Sequence, residues 1–237
     1  MKAMLLAAGL GTRLKPFTDH HPKALAQVNG KTLLEHNIRY LQHYGIKDIV
    51  INVHHFPDQI ETLLRDEKGF GSNIAISDER GEVLETGGGL LKAAHFFHKE
   101  NFVLMNVDIL TNLDLNKLIT DHQRSGAIAT LAVSQRLSGR QLLFDEDRQL
   151  CGWENRTSGE IRTAREVRPV FPYAFSGIHI ISTDIFPHIT QRGKFSIIDT
   201  YLQLAATLPI IGYDHSGDLL IDVGKPESLH EAAQLFR

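Results

Sequence analysis

The sequence predicts an α/β protein with an open, mostly parallel β-sheet and helices on both faces of that sheet. Three observations lead to this prediction. Short apolar segments alternate with segments whose apolar residues recur at helical spacing. The connections between these segments are short, which is typical of strands and helices that pack in layers. The chain has 237 residues, which suits one domain or one domain with a modest subdomain.

The first half of the chain carries the alternation. Its opening stretch is short, apolar and followed by glycine, which predicts a buried strand. Further on, Leu34, Ile38 and Leu41 recur at helical spacing and Gly45 follows as a stop signal, which predicts a helix. By the same criteria, strands are predicted over residues 2–8, 48–54, 74–77, 101–107 and 127–133, and helices over residues 32–44, 57–65, 87–97 and 116–125.

The second half is less regular. A strand, a charged turn and another strand predict a hairpin over residues 141–156, and a charged loop bounded by proline follows at 162–172. We expect residues from about 134 to 173 to form a small β subdomain embedded in a single domain, 1–237. The remaining predicted elements are the strands 175–181 and 219–223 and the helices 196–208 and 226–236.

Composition and charge argue against several classes of partner. The formal net charge is -3 and basic residues are interspersed with acidic ones, which argues against nucleic-acid binding. No apolar stretch is long enough for a membrane span or a signal peptide, so no membrane partner is expected. Cys151 is the single cysteine, which predicts a reducing compartment and hence the cytoplasm. None of the thirteen histidines stands in an H-E-x-x-H pattern, which argues against a histidine-bound catalytic metal.

Polar segments follow several of the predicted strands. Residues 9–13, the pair His54 and His55, and Asp108 all fall at the ends of strands of the first half. Because ligands of open α/β sheets bind beyond the carboxyl ends of the strands, we expect these residues to converge on one crevice.

The glycine-rich loop after the first strand, in the stretch LLAAGLGTRL, has three candidate functions. A dinucleotide site requires a third glycine, but that position holds Leu14, and Pro16 follows soon after. A P-loop requires a G-K-[ST] ending that is missing here. A plain tight turn would not need the polar residues that follow Gly11.

The loop chemistry favours a triphosphate. Gly9 and Gly11 allow the backbone to approach an anion closely and to adopt positive φ, and successive backbone N–H groups form a concave anion site. Arg13 adds a planar charge that can bind two phosphate oxygens. Lys23 follows ten residues later and would place a point charge on the α-phosphate or the leaving pyrophosphate.

Five motifs along the whole chain resemble those of the sugar-1-phosphate nucleotidyltransferases. The first is LLAAGLGTRLKPFT followed by PKAL, and the others are LETGGGLLKA, NVD, FSGIHI and IDVGKPESL. The form LETGGG and the short chain look most like the N-acetylmuramate-1-phosphate uridylyltransferases of peptidoglycan recycling. Mannose-1-phosphate guanylyltransferases and glucose-1-phosphate thymidylyltransferases are close relatives of that group.

The resemblance implies a fold, a reaction and a cofactor. The fold would be the Rossmann-like, nucleotide-diphospho-sugar transferase type, with a nucleotide-binding half at about 1–133 and a sugar-binding half at about 134–237. The enzyme would transfer a nucleotidyl group, with UTP favoured, to a sugar 1-phosphate, with N-acetylmuramate 1-phosphate favoured, and would release pyrophosphate. Mg²⁺ would be the cofactor, and the oligomeric state stays open.

Other substrates and one other class of protein stay open. The same chemistry would serve mannose 1-phosphate with GTP, glucose 1-phosphate with dTTP, or phosphocholine with CTP. A catalytically silent regulator that binds nucleotide sugars would be expected to lose charged residues of the site. Arg13, Lys23 and both strand-end aspartates, Asp108 and Asp222, are present.

The resemblance also implies roles for individual residues. Arg13, Lys23 and Asp108 would be catalytic, and Asp108 with Asp222 would hold Mg²⁺, which prefers one or two carboxylates with phosphate oxygens and water. The nucleotide would be bound by Ala8, Gly9, Gly11, Thr12, Arg13, Lys23, Asp78, Val83 and Gly87.

The sugar phosphate would be bound by Asn106, Arg140, Glu154 and Gly177. Many relatives have a lysine directly after the residue equivalent to Glu154, but here Asn155 takes that position. Arg140 is expected to supply the missing positive charge. His179 alternates with isoleucines on a predicted strand and has no assigned role.

Overall fold

The computed structural model describes residues 1–236, so the last residue of the predicted domain, 237, lies outside the described residues. Strands and helices alternate through the first half, as the sequence predicts. The helices are α1 (Leu33–His43), α2 (Pro57–Asp66), α3 (Glu85–Lys92), α4 (Leu115–Ser125), α5 (Ile197–Leu204) and α6 (Pro226–Leu235). The strands are β1 (Lys2–Leu6), β2 (Gln27–Val28), β3 (Lys31–Thr32), β4 (Asp48–Val53), β5 (Asn73–Asp78), β6 (Asn101–Asn106), β7 (Ile109–Thr111), β8 (Ala129–Ser134), β9 (Arg140–Phe144), β10 (Leu150–Asn155), β11 (Glu160–Thr163), β12 (Phe171–Ser182), β13 (Ile210–Asp214) and β14 (Leu220–Asp222).

The central sheet has the order β5-β4-β1-β6-β12-β8-β13. Neighbours β5, β4, β1 and β6 are parallel, and β8 and β13 point the same way. In the part of the chain that the structure describes, β12 alone runs against the other strands of this sheet. The sheet is therefore mostly parallel, as predicted, and its strands β1, β4 and β6 end at one common edge.

Strand β12 is long enough to serve two sheets. Its last residues pair with β6 and β8, and its first residues, Phe171 to Tyr173, pair with β9. Strands β9, β10 and β11 continue from there as an antiparallel sheet. This small sheet lies in the region where the sequence predicts an embedded subdomain. Because β12 is antiparallel, the small sheet projects beyond the edge at which β1 and β6 end.

Each face of the central sheet buries the apolar stripe of its own helices. Helices α1, α2 and α4 cover one face, and their buried residues include Ile38, Ile60 and Leu118. Helices α3 and α5 cover the other face with Leu90 and Tyr201 among their buried residues. Full burial of a leucine or isoleucine side chain contributes about 1.5–3 kcal/mol, so these stripes hold the layers together. No helix in residues 1–236 is long and apolar enough to cross a membrane.

A third, smaller apolar cluster fixes the chain segments that surround the glycine-rich loop. Leu14 from that loop packs with Leu110 of β7, Ile221 of β14 and Ala232 of α6. Strands β7 and β14 pair with each other, and Asp222 lies opposite Ile109. The cluster therefore brings the end of the chain back to its beginning.

Several predicted boundaries are wrong. The helix expected over 87–97 begins at Glu85 and ends at Lys92, because a 3-10 turn follows it. The helix expected over 196–208 ends at Leu204, and the unpredicted strand β13 follows. Strand β11 was not predicted, and it ends at Thr163, inside the predicted loop 162–172. In each case pairing with a distant strand or a change of turn type decides the boundary, and neither is visible in local periodicity.

Three histidines in residues 1–236 are buried, and two of them, on β12 and α4, have strongly lowered pKa values. His179 on β12 is fully buried, and its Nδ1 lies 2.7 Å from the hydroxyl oxygen of Tyr201. His122 on α4 has Nδ1 2.9 Å from Oγ1 of Thr130. Burial lowers the pKa of His179 to about 3 and the pKa of His122 to about 4. Both imidazoles are therefore neutral in the folded protein, and His179 is a core residue.

We predict that these histidines make the fold acid-labile. In the unfolded chain their pKa is about 6.5, so the unfolded state binds protons before the folded state does. Their contribution to stability is complete above pH 6.5. It falls by about 1.4 kcal/mol per pH unit and histidine as the pH drops toward about 4. Urea unfolding between pH 7.5 and 4.5 measures this slope.

A variant isolates the contribution of His179. The substitution His179→Leu removes one titrating group, so the slope below pH 6.5 should become shallower whatever the absolute stability. His98→Gln, at an exposed histidine, is the control and should leave the slope unchanged. An unaltered slope in His179→Leu would contradict the assignment.

Candidate active site

A cavity of about 520 Å³ lies at the edge where β1, β4 and β6 end. Its walls are the loop after β1, the ends of β4 and β6, and the segment that leads into α3. This is the position that the fold predicts for a ligand. The predicted site residues that line it are Ala8, Gly9, Gly11, Thr12, Lys23, Val83, Asn106 and Asp108.

The two positions of the loop that hold glycine do so for different structural reasons. Gly11 has φ of +61°, and a Cβ there would lie 2.8 Å from Cγ2 of Thr18 and 3.0 Å from Cβ of Lys23. A side chain is therefore excluded at Gly11 by both conformation and space. Gly9 has no positive φ, contrary to expectation, and its Cβ position faces open space on the cavity side. The absence of a side chain at Gly9 leaves the backbone accessible to a ligand.

A buried series of hydrogen bonds supports the start of this loop. Asn52, at the end of β4, accepts a hydrogen bond from the backbone N–H of Ala7 at 2.7 Å and donates one to Oε1 of Glu79 at 2.7 Å. The other oxygen of Glu79 accepts from the N–H of Leu84 at 3.2 Å. Glu79 is 1% exposed, and burial raises its pKa. One carboxyl group thus links the glycine-rich loop to the segment before α3.

The sequence did not predict this series of hydrogen bonds. The one available signal is Asn52, which is polar within an otherwise apolar strand and is 2% exposed. Its partner Glu79 lies 27 residues away, so only the parallel pairing of β4 and β5 brings the two together.

The glycine triplet at the start of α3 is explained by packing. A Cβ at Gly87 would overlap the ring of Phe195, and one at Gly88 would overlap the carbonyl oxygen of Gly193. A Cβ at Gly89 would lie 2.6 Å from Oε1 of Glu79. Gly87 also donates its backbone N–H to the carbonyl of Phe195 at 2.9 Å. Gly87, predicted to contact the nucleotide, therefore lies behind the cavity wall and not in it.

Four charged residues from three distant chain segments meet at one side of the cavity. Lys23, which is 8% exposed, donates a hydrogen bond from Nζ to Oδ2 of Asp108. The same Nζ lies 4.0 Å from Oδ1 of Asp222, and Nη2 of Arg13 lies 3.8 Å from Oδ2 of Asp222. Partial desolvation and the neighbouring Asp108 carboxylate raise the pKa of Asp222. The two carboxylates are therefore close enough to interact.

Local geometry leaves room for this cluster. The backbone N–H of Val223 donates to the carbonyl of Asp108 at 2.8 Å, which joins β14 to the end of β6. A Cβ at Gly224 would lie 2.7 Å from Oδ1 of Asp222 and 2.8 Å from Nη2 of Arg13. Glycine at this position therefore lets the arginine reach the carboxylate.

The cluster offers the donor set of a hard cation. Asp108 and Asp222 supply carboxylate oxygens, and no group of three or more potential metal-ligating side chains occurs in residues 1–236. Two carboxylates suit Mg²⁺, which fills its remaining positions with phosphate oxygens and water. The residues present therefore fit Mg²⁺ better than a metal that requires a full set of protein ligands.

Asp78 lies outside the cavity lining. Its carboxylate accepts hydrogen bonds from the backbone N–H of Arg80 and from its guanidinium, both at 2.8 Å. The same guanidinium contacts Asp58 and Glu61 on α2. The hydrogen bonds of Asp78 lower its pKa and shape the turn that leads to Val83.

The predicted sugar residues separate into two groups. Asn106 lines the cavity. Gly177 lies against the Asn106 side chain, since a Cβ at Gly177 would be 2.9 Å from Nδ2 of Asn106. Gly177 has φ of +75° in an irregular stretch of β12, which requires glycine. Arg140 is exposed at the start of β9. Glu154 on β10 lines a separate cavity of about 730 Å³ together with Arg165.

The opposite wall of the main cavity combines two residues of the LETGGG motif with two residues that no sequence motif indicated. Lys194 and Ser196 come from the segment before α5, and Glu85 and Thr86 from the start of α3. Nζ of Lys194 lies 3.7 Å from Oε1 of Glu85, and the Thr86 hydroxyl accepts from the N–H of Ile197 at 2.9 Å. These contacts join α3 to α5 across 111 residues of sequence.

Comparisons with known proteins agree with this arrangement. The chain is 43% identical over 236 residues to N-acetylmuramate alpha-1-phosphate uridylyltransferase of Neisseria meningitidis serogroup B, covering 99% of this chain and 98% of that protein. It is 33% identical over 238 residues to the protein of the same name from Caulobacter vibrioides, covering 95% and 93% of the two chains. The crystal structure of HddC from Yersinia pseudotuberculosis has the same fold, with a TM-score of 0.81 at 24% identity and coverage of 100% and 99%.

A family model described as Nucleotidyl transferase matches residues 2–140, which contain the glycine-rich loop, Lys23 and Asp108. This matched region is more than half of the chain, and the relatives extend the similarity to the remainder. The chain belongs to the nucleotidyl transferase family.

Proposed function

We propose that the protein transfers a uridylyl group from UTP to N-acetylmuramate 1-phosphate and releases pyrophosphate. The observation that carries the reaction type is the cluster of Arg13, Lys23, Asp108 and Asp222 beside the glycine-rich loop. The choice of substrates is supported by the two relatives, at 43% and 33% identity over nearly the whole chain, that bear the uridylyltransferase name.

The loop would bind the triphosphate. Backbone N–H groups of Ala8, Gly9, Gly11 and Thr12 would hold the β- and γ-phosphates, since this loop lines the cavity. Arg13 and Lys23 would offset the phosphate charge at the edge of the loop. Their present carboxylate partners keep both cations close to that position.

The base would lie against the segment that leads into α3. Val83 lines the cavity and is the direct candidate, through its backbone groups. Asp78 and Gly87 would act as positioning residues, because Asp78 shapes the turn before Val83 and Gly87 holds α3 against Phe195. A uracil base presents a donor flanked by two acceptors, which backbone groups of this segment would match.

Asp108 and Asp222 would hold Mg²⁺, which when bound adds positive charge and coordinates phosphate oxygens. An oxygen of the sugar phosphate attacks the α-phosphorus of the nucleotide, and pyrophosphate leaves. The attacking oxygen is already anionic, so no strong general base is required. The residues of the site therefore act by positioning two anions and by reducing their repulsion.

Asn106 and Gly177 would contact the sugar, because Asn106 lines the cavity on the side of β12 and Gly177 lies directly against Asn106. Glu154 and Arg140 belong to the small sheet that projects beyond this wall, and from that side they would reach the sugar ring and not its phosphate group. We place the enzyme in the cytoplasm, with a nucleoside triphosphate and a sugar 1-phosphate as partners and with no nucleic acid or membrane.

We predict a clear order of substrates. Pyrophosphate release should be fastest with UTP and N-acetylmuramate 1-phosphate in a matrix of UTP, GTP, CTP and dTTP against N-acetylmuramate, mannose and glucose 1-phosphates and phosphocholine. A different best pair would replace the proposed substrates and leave the reaction type standing. No pyrophosphate from any pair would favour a regulator that only binds nucleotide sugars.

We predict that Lys23→Met lowers kcat by about 100-fold or more, because one cation that faces the reacting phosphates is lost. Pyrophosphate release at saturating substrates measures it. Lys117→Met is the matched control, since Lys117 is an exposed lysine of α4 that contacts Asp114 just before that helix, and it should stay within twofold of wild type. A Lys23→Met enzyme with nearly normal kcat would remove Lys23 from the mechanism.

A further inference from the structure

A second arginine lies near the carboxylate cluster. Arg136 follows the end of β8 and is half-buried where β8 meets β12. Its Nη2 donates to the carbonyl oxygen of Phe175 at 2.6 Å. Its Nε is buried without a hydrogen-bond partner among the described residues. A buried donor without an acceptor destabilises the folded protein, so this arrangement calls for an explanation.

The guanidinium has donors to spare. An arginine carries five N–H donors in a planar fork, and here one nitrogen has an acceptor in the described chain. Burial lowers the pKa of Arg136, and the negative charge of Asp222 acts in the opposite direction. The charge of Arg136 in turn lowers the pKa of Asp222. Arg136 therefore lies within electrostatic range of the Asp222 carboxylate, although none of the described carboxylates forms an ion pair with it.

The anchor of Arg136 places it on the sugar side of the cavity. Phe175, which accepts its hydrogen bond, begins the irregular stretch of β12 that contains Gly177. Gly177 lies against Asn106 in the cavity wall. Arg136 is thus tied to the part of β12 that supports this wall, and its charge reaches Asp222 of the carboxylate cluster.

On the β12 side of the cavity, no cationic side chain has yet been assigned to the phosphate of the second substrate. Lys23 and Arg13 lie on the side of the glycine-rich loop, where each already forms an ion pair with a carboxylate. The second substrate also carries a phosphate, and with the triphosphate placed on the glycine-rich loop, as proposed above, the β12 side of the cavity is left for it. A planar guanidinium with free N–H donors suits a phosphate, which it can bind through two oxygens at once.

We propose that Arg136 binds the phosphate group of the sugar 1-phosphate and that it takes the place of the lysine missing after Glu154. The inference rests on the proposed function, because it assumes a sugar phosphate as acceptor. It differs from the sequence-based expectation, in which Arg140 supplies this charge. Arg136 is half-buried and anchored to β12, whereas Arg140 is exposed at the edge of β9.

Steady-state kinetics of single variants test the proposal, with UTP and N-acetylmuramate 1-phosphate or the best sugar phosphate of the substrate matrix. Arg136→Gln should raise the KM for the sugar phosphate by about 30-fold, as expected for lost charge-assisted hydrogen bonds. The KM for UTP should change less than about threefold, because a general loosening of the site would raise both values. Arg136→Lys should lie between wild type and Arg136→Gln, since lysine keeps the charge and loses the planar fork.

Arg65→Gln, at an exposed arginine of α2, is the control and should match wild type. An unchanged KM for the sugar phosphate in Arg136→Gln, or a rise in Arg140→Gln alone, would overturn the proposal while leaving the reaction standing. If Arg136→Gln does not fold, Arg136→Lys decides, and equal changes in both KM values would reduce Arg136 to a structural anchor of β12. A wild-type enzyme that is inactive with every pair would refute the proposed function, and with it this inference.

Discussion

The contact of Lys23 with Asp108 and Asp222 is the interaction on which the site depends. The carboxylates of Asp108 and Asp222 repel each other, and partial burial further disfavours the charged form of Asp222. The ammonium group of Lys23 and the guanidinium of Arg13 offset the repulsion. The four groups come from the start, the middle and the end of the chain. The cluster therefore forms only when β1, β6 and β14 are all in place.

The fold supplies this condition in two ways. Parallel strands β1, β4 and β6 end at one edge and deliver the loop, Asn52 and Asp108 to the same cavity. The small apolar cluster around Leu14 and Ile221 then brings β14 back to the loop. Strand β12 runs in the opposite direction and carries the second wall and the small sheet beyond the edge. The two walls of the cavity thus come from different parts of the sheet, as the proposed reaction between two anionic substrates would require.

Local sequence features predicted much of the fold and the charged part of the site. Apolar periodicity located the strands and helices of the first half, because each pattern is complete within a short window. The strand-end rule brought the loop and Asp108 together, and the family resemblance added Asp222. Glu79 and Arg136 escaped notice because their meaning depends on partners far away, at Asn52 and Phe175. Asp78 shows the reverse, since a polar residue at a strand end turned outward to pair with Arg80.

The most direct test of the account is the position of a divalent cation in a complex with a nucleotide. Anomalous diffraction from crystals grown with Mn²⁺ and a non-hydrolysable UTP analogue would locate the ion. The account predicts one strong peak at coordination distance from carboxylate oxygens of both Asp108 and Asp222, with Lys23 turned toward the phosphates. An ion held by the phosphates alone, with Lys23 still between the two carboxylates, would contradict it.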